Sequence, residues 1–287
     1  MDLTIIIVNY QTYKLTKNTI QSILENPCKY TYQIILVDNA STDDSIEKLE
    51  NDYKDNNKIK IIKSKTNGGF AYGNNLALKQ TQSKYTLLLN SDTIVKPDTL
   101  NQCLEYMEKD SKIGALGCKV SLPTGDLDKA CKRSFPNPVN SFYKLFHIPN
   151  KNTGKNNYNL DNLPDDGVYE IDCLVGAFML IRKEAIESVG LLDESFFMYG
   201  EDIDYCYRIK NDGWKIVYYG KAEIIHYKGA SSKKQKYKLI YEFHRAMYIF
   251  YKKHYAQIYN TLLNILVYIG ILIQLIIKLL LNIFKKK

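Results

Sequence analysis

The stretch that most constrains the fold is Tyr85-Thr86-Leu87-Leu88-Leu89, an apolar run that stops abruptly at Asn90-Ser91-Asp92-Thr93. A short continuous run without helical spacing fits a parallel strand covered on both faces by helices. Asn90 and Asp92 then lie just past its C-terminal edge, where open α/β sheets bind ligands in the crevice between strand ends and helix N-termini. A carboxylate exposed there suits Mg²⁺ or Mn²⁺ held jointly with substrate phosphates, because Mg²⁺ prefers oxygen and keeps few protein ligands. The triplet fits equally a turn that caps the helix beginning near Pro97.

The same pattern recurs through the first half of the chain. Residues 3–8 read as strand one, followed by Asn9-Tyr10-Gln11-Thr12, and residues 15–24 as a helix that stops before Pro27. Ile34-Ile35-Leu36-Val37 is strand two, and Asp38 at its end occupies the same sheet edge as Asp92. An acid at such a strand end can hold a ribose hydroxyl or a base edge; it can equally form a local turn, with Ser41 or Thr42 as a helix cap. Residues 58–62 give a third strand, and Asn67-Gly68-Gly69-Phe70 then opens a helix carrying Leu76 and Leu78. Glycines at a helix N-terminus let the backbone approach a diphosphate, yet neither the Rossmann fingerprint nor the P-loop is present. Residues 98–108 read as a helix and residues 113–120 as a fifth strand.

Between residues 121 and 167 the periodicity fades and Pro, Asn, Gly and Asp accumulate. A stretch this long points to a functional loop, expected to border the acceptor site and to move when substrate is absent. Order returns in residues 169–173 and 175–181, then in a helix over about 182–189. Glu201-Asp202-Ile203-Asp204 opens a further helix that ends before Gly213, and two short strands, 215–219 and 222–225, lead to His226. Taken alone, Glu201 and Asp202 complement a helix dipole, Asp204 pairs with Arg208 at i,i+4, and His226 is a hydrogen-bonded structural residue. Their joint occurrence with Asn90-Ser91-Asp92, in this order, gives them a chemical reading.

A length of 287 residues and 45% hydrophobic composition suffice for a sizeable core. The formal charge of +8 does not concentrate as a nucleic-acid footprint; lysines thicken after Ser231, beside an apolar tail, and point to a membrane surface. None of the six cysteines forms a C-x-x-C pair, so neither a zinc ribbon nor a redox motif is indicated. The chain enters strand one directly, without a signal-peptide pattern, which places the catalytic part in the cytoplasm. Residues 258–284 are apolar enough to span a bilayer on length. Asn260, Asn264, Gln274, Lys278, Asn282 and Lys285 nevertheless fall within roughly 40° of one line at about 100° per residue. That stripe favours a helix lying in the membrane plane with its basic residues towards the headgroups, against a spanning helix. The expected division is a catalytic domain over 1–230, a basic and aromatic helical connector over 231–257, and an apolar membrane-associated helix over 258–287.

Val8-Asn9-Tyr10, the passage from Val37-Asp38 to Asp43, Asn67-Gly68-Gly69-Phe70, Leu89-Asn90-Ser91-Asp92, Gly176-Ala177-Phe178, Glu201-Asp202-Ile203-Asp204 and His226 together resemble the family 2 glycosyltransferases. Within that family the chain looks most like the bacterial rhamnosyltransferase-type branch. The resemblance implies the GT-A fold, a single α/β nucleotide-binding domain with a mixed, mainly parallel sheet. It implies transfer of a sugar, with inversion, from a nucleotide-diphosphate donor (dTDP-rhamnose or a UDP-hexose) to a lipid-linked saccharide in bacterial surface polysaccharide synthesis, at the cytoplasmic face of the membrane. Carried over by position, Asp38 contacts the nucleoside, Asn9, Asn67 and Gly68 lie on the donor side, and Asn90 lies near the ribose and diphosphate. Asp92 holds Mg²⁺ or Mn²⁺ with His226 as a further ligand, and Gly176, Ala177 and Phe178 border the acceptor. Asp202 is the general base and Glu201 its nearest rival. Asn90 departs from the Asp-x-Asp of many relatives, and a neutral amide is a poorer metal ligand than a carboxylate. Two alternatives stand beside this reading. A sugar-phosphate nucleotidyltransferase needs a glycine-rich loop after strand one, which Asn9-Tyr10-Gln11-Thr12 lacks; a non-catalytic nucleotide-sugar binding membrane protein has only Asn90 in its favour.

Overall fold

The computed structural model describes residues 1–138, 158–228 and 236–284. Its first half is four parallel strands, β1 (Leu3–Asn9), β2 (Tyr32–Asp38), β3 (Ile59–Lys63) and β4 (Tyr85–Asn90), in the spatial order β3-β2-β1-β4. Helices α1 (Tyr13–Leu24), α2 (Ser45–Tyr53) and α3 (Gly69–Leu78) make the connections. Because helices cover both faces, consecutive residues of one strand are buried: Leu3, Ile5, Ile6 and Ile7 are all fully inaccessible. Each such side chain contributes about 1.5–3 kcal/mol. The register aligns Asn9 with Asp38 and Val8 with Asn90, so the C-terminal ends of β2, β1 and β4 form one edge.

The second half comprises β5 (Thr93–Val95), α4 (Thr99–Lys109), β6 (Ile113–Ser121), β7 (Val168–Glu170), β8 (Phe178–Arg182), α5 (Lys183–Val189), α6 (Glu201–Asn211) and β9 (Lys215–His226). β8 runs antiparallel between β4 and β6, β9 runs parallel to β6, and β5 and β7 both pair antiparallel with β9. The expected mixed, mainly parallel α/β sheet is therefore present, with nine strands among the described residues.

Three local expectations need correction. Residues 215–219 and 222–225 are one strand, because a bulge absorbs the polar interruption: Cys118 pairs with Tyr219, while Lys119 pairs with Glu223. Gly220 permits it, since a Cβ there would lie 2.4 Å from the Asp165 carbonyl oxygen. The strand expected over 169–173 shrinks to β7, and Val175-Gly176-Ala177 precede β8 instead of belonging to it. The Asn90-Ser91-Asp92 turn does not cap α4, whose N-cap is Asp98; it leads into β5, which is too short to show a period in sequence.

Helices α7 (Lys236–His254) and α8 (Thr261–Phe284) complete the described chain. α7 lies on the catalytic unit, where Phe196, Ala246 and Phe250 form a small core of their own. α8 folds back on α7: Tyr268 packs 5.1 Å from Tyr248 and 5.6 Å from Tyr251, and the Tyr251 hydroxyl donates to Asn264 Oδ1 at 2.7 Å. Asn264 thus faces α7 and not a headgroup layer, which corrects the sequence-based reading of the polar stripe at that position; Lys285 lies outside the described residues. The side of α8 turned away from α7 carries exposed Leu262, Ile265, Leu266, Ile269 and Leu272. Residues Thr261–Ile283 are long and apolar enough to cross a membrane, with a mean hydropathy of 2.3.

Candidate active site

The edge formed by β1, β2 and β4 is built on buried amides. Asn9 is fully inaccessible; its Nδ2 donates to Asp38 Oδ1 at 2.8 Å, and its Oδ1 accepts from Thr12 and Thr16 at 3.0 and 2.8 Å. All its polar atoms are engaged inside the protein, so it orients Asp38 and has nothing left for a ligand. Asp38 also accepts from the Ser41 hydroxyl at 2.6 Å and the Ser41 amide at 3.0 Å, which closes the turn after β2. Next to it, Asn39 donates to Asn67 Oδ1 and to the Gly69 carbonyl, both at 3.0 Å. Gly69 sits at φ +90°, and a Cβ on it would lie 1.9 Å from the Phe197 carbonyl oxygen; only glycine fits this junction. Asn67 and Gly68 are therefore held half-buried beside Asp38.

The turn after β4 is pinned from α1. Thr19 Oγ1 donates to the carbonyls of Ser91 and Thr93 at 3.0 and 2.7 Å and accepts from the Thr93 amide at 3.1 Å. Asp92 is thereby directed at the last residue of β9: its Oδ1 lies 3.2 Å from His226 Nε2, and Asn90 Nδ2 lies 3.3 Å from the same nitrogen. On the other side of the ring, Asp128 Oδ2 lies 3.6 Å from His226 Nδ1, and Lys228 Nζ grips both oxygens of Asp128 at 2.9 and 3.1 Å. Burial opposes charge on the imidazole, but the two carboxylates outweigh it and push His226 up to about 9. Burial likewise opposes the Asp128 anion, and His226 with Lys228 overrides it, holding that carboxyl well below its usual range.

Among the described residues no three His, Cys, Asp or Glu side chains converge as a ready-made metal cage. Asp92, His226 and Asn90 nevertheless fit a cation shared with a substrate. Adjacent ligands on an octahedral ion with bonds near 2.1 Å stand about 3 Å apart, close to the 3.2 and 3.3 Å observed here. Asp128 occupies the position of a carboxylate that orients a metal-binding imidazole from behind.

The third part of the site is the start of α6. Gly200, in a left-handed conformation at φ +83°, turns the chain so that Glu201 and Asp202 open the helix. Asp202 Oδ1 accepts from the Ile203 amide at 2.8 Å; Oδ2 accepts from Arg133 Nη2 at 2.7 Å and from the Gly176 amide at 3.4 Å. Its side chain keeps 12% of its surface exposed. Glu201 is buried, and its Oε2 has no hydrogen-bond partner among the described residues. Burial, reinforced by the neighbouring Asp202, pushes Glu201 up to about 8. Gly176, Ala177 and Phe178 are themselves buried, with Ala177 and Phe178 each 1% exposed. They join the halves of the site from behind: the Gly176 amide meets Asp202, and the Ala177 carbonyl accepts from the Asn90 amide at 3.1 Å.

Asp128 and Arg133 are site residues that the sequence did not reveal. Both come from the stretch after β6, which is irregular and gives no period; neither lies in one of the motifs. That stretch is well fastened where it is described, as Arg133 bridges to Cys173; residues 139–157, at its centre, lie outside the described residues.

Residues 2–239 match the family described as glycosyltransferase-like family 2. Rhamnosyltransferase WbbL of Escherichia coli is 28% identical over 212 residues, covering 67% of this chain and 77% of its own. The N-acetylglucosaminyl-diphospho-decaprenol L-rhamnosyltransferase of Mycobacterium tuberculosis is 24% identical over 230 residues, 76% of this chain and 73% of its own. Among solved structures, the mannosyltransferase PcManGT from Pyrobaculum calidifontis, in complex with GDP-Man and Mn²⁺, superposes with a TM-score of 0.58 at 15% identity. The superposition covers 86% of this chain but only 61% of the mannosyltransferase, and at that identity the likeness is one of fold.

Proposed function

The chain belongs to glycosyltransferase-like family 2, and on that premise we propose that it moves a sugar, with inversion, from a nucleotide-diphosphate donor to a lipid-linked saccharide in surface polysaccharide synthesis. A rhamnosyl donor such as dTDP-rhamnose is favoured by the two rhamnosyltransferase relatives, with a UDP-hexose as the next choice. A lipid-linked acceptor is favoured by the diphospho-decaprenol substrate in the mycobacterial relative's name. The observation that carries the reading is the pairing, across the Gly176-Ala177 link, of an Asp92–His226–Asn90 cluster with the partly exposed carboxylate of Asp202.

Asp38, positioned by Asn9, takes the nucleoside, with Asn67 and Gly68 beside it. Asn90 and Asp92 face the diphosphate, and Asp92 with His226 would hold Mg²⁺ or Mn²⁺. When bound, that ion supplies positive charge where the leaving diphosphate gains negative charge. An acceptor hydroxyl is a poor nucleophile at neutral pH, so Asp202 takes its proton as the oxygen bonds to the anomeric carbon. The bond to the diphosphate breaks in the same in-line step, which inverts the centre. Glu201, pushed up to about 8, holds its proton at neutral pH and is the weaker candidate for base. Gly176, Ala177 and Phe178 act on the acceptor side through Asp202 and Asn90, without presenting side chains.

In the proposed division, residues 1–230 form the catalytic domain, 231–257 the connector, and 258–287 the membrane-associated helix. α8 lies in the plane of the cytoplasmic leaflet: α7 packs along the catalytic unit and α8 folds back on α7, leaving its apolar side outward. The deciding experiment incubates purified protein with a panel of nucleotide sugars, a lipid-linked saccharide and Mn²⁺. A glycosylated lipid and free nucleoside diphosphate are expected; a new sugar nucleotide, or no product from any donor, would refute the proposal.

A further inference from the structure

We infer that Arg133 is the positioning residue of the proposed base, setting both the direction of the Asp202 carboxylate and the pH at which it can accept a proton. The inference rests on the reading of Asp202 as general base. Arg133 is anchored before its side chain is considered: its amide donates to the Cys173 carbonyl at 3.1 Å, and the Cys173 amide donates back at 2.9 Å. That bridge ties it to the segment running into Gly176. Its side chain, 9% exposed, reaches from there to Asp202 Oδ2 at 2.7 Å, to the Leu174 carbonyl, and to the Tyr158 hydroxyl at 3.5 Å. With Oδ1 held by the Ile203 amide, the carboxylate cannot rotate, and its remaining lone pairs have one orientation towards the exposed side.

The electrostatic consequence follows from the neighbours of Asp202. The charged and titratable groups facing it are Arg133 and Glu201, with Tyr158 and Cys173 further off. Two carboxyl groups this close in a poorly solvated site cannot both ionise readily. Arg133 breaks the tie: its guanidinium touches Asp202 and not Glu201, so the charge settles on Asp202 and the proton on Glu201. Without Arg133 the pair would share one proton, and the base would be occupied at neutral pH.

The test is the pH dependence of kcat and of KM for donor in wild type, Arg133→Met, Arg133→Lys and Asp202→Asn, with circular dichroism on each. Arg133→Met is expected to move the acid limb of the kcat profile up by about one pH unit or more. Its kcat at pH 7 should fall roughly tenfold to a hundredfold and recover in alkali, while KM for donor stays near wild type. Arg133→Lys should fall between the two, and Glu201→Gln added to Arg133→Met should return the limb towards wild type. A folded Arg133→Met with an unmoved acid limb, or a loss equal at every pH, overturns the inference. If Arg133→Met does not fold, an unmoved limb in Arg133→Lys overturns it. Activity remaining in Asp202→Asn would instead remove the base reading itself.

Discussion

Asp204 Oδ1 lies 2.7 Å from His254 Nε2, so the helix that carries Glu201 and Asp202 is fastened to the last turn of α7. The fully buried carboxylate also meets Lys253 Nζ at 2.8 Å and Arg208 Nε at 2.9 Å. Through this cluster the segment leading to the apolar helix α8 and the proposed catalytic helix α6 share one anchor.

That anchor has a pH signature. Burial disfavours the Asp204 anion, but His254, Lys253 and Arg208 outweigh it and lower the carboxyl from 3.8 to about 2. A depressed carboxyl stabilises the fold above its unfolded value, and the contribution disappears as pH falls from about 4 through about 2. About 2 kcal/mol is involved. Urea unfolding should show Asp204→Asn less stable at pH 7 by at least that amount, with a shallower loss between pH 4 and 2. An identical slope in the two proteins would contradict the cluster.

Glu201 works in the opposite sense. Its folded value of about 8 lies above the ordinary 4.5, so the native state keeps a proton that the unfolded chain releases. Stability is complete below about 4.5 and declines as pH rises through about 8. Glu201→Gln is therefore expected to raise stability at pH 8 by at least ~1 kcal/mol, to leave it unchanged at pH 4.5, and to retain transfer within a few-fold. Asp202→Asn should lose roughly a hundredfold or more in kcat while still binding donor. The reverse ranking in activity would exchange the two roles.

For the cation, titration of Mn²⁺ into the protein by calorimetry or electron paramagnetic resonance provides a readout independent of turnover. Asp92→Ala should weaken Mn²⁺ and donor binding together, and His226→Ala should do so less severely. Transfer undiminished in excess chelator would shift charge compensation to basic side chains.

Gly69→Ala tests the junction beside Asp38. The positive φ and the 1.9 Å approach of its Cβ to the Phe197 carbonyl leave no space that a side-chain movement could open. A loss of more than ~2 kcal/mol is expected, with weaker donor binding; wild-type thermal stability would mean that the glycine passage is not built this way.

The orientation of α8 can be read with a single cysteine placed after Lys287 in a cysteine-free variant, labelled on intact cells with an impermeant thiol reagent. Protection until the cells are opened supports the in-plane arrangement, and labelling from outside means that the helix crosses.

Local chemistry made much of this protein legible in sequence. The four parallel strands and their sheet edge could be read because continuous apolar runs ending in Asn9, Asp38 or Asn90 need no partner to announce themselves. The helix opening at Glu201 and the glycine-rich start of α3 were visible for the same reason. What the tertiary structure decided was partnership. β5 and the bulged β9 exist through pairing with each other and with β6, an energy no short window contains. Asp128 and Arg133 reach His226 and Asp202 across 98 and 69 residues, from a stretch whose irregular backbone has no period to read. The sequence alone listed Asn264 among headgroup-facing polar residues; the fold turned it onto Tyr251, because a buried amide is stabilised by a hydrogen-bond partner wherever the chain brings one.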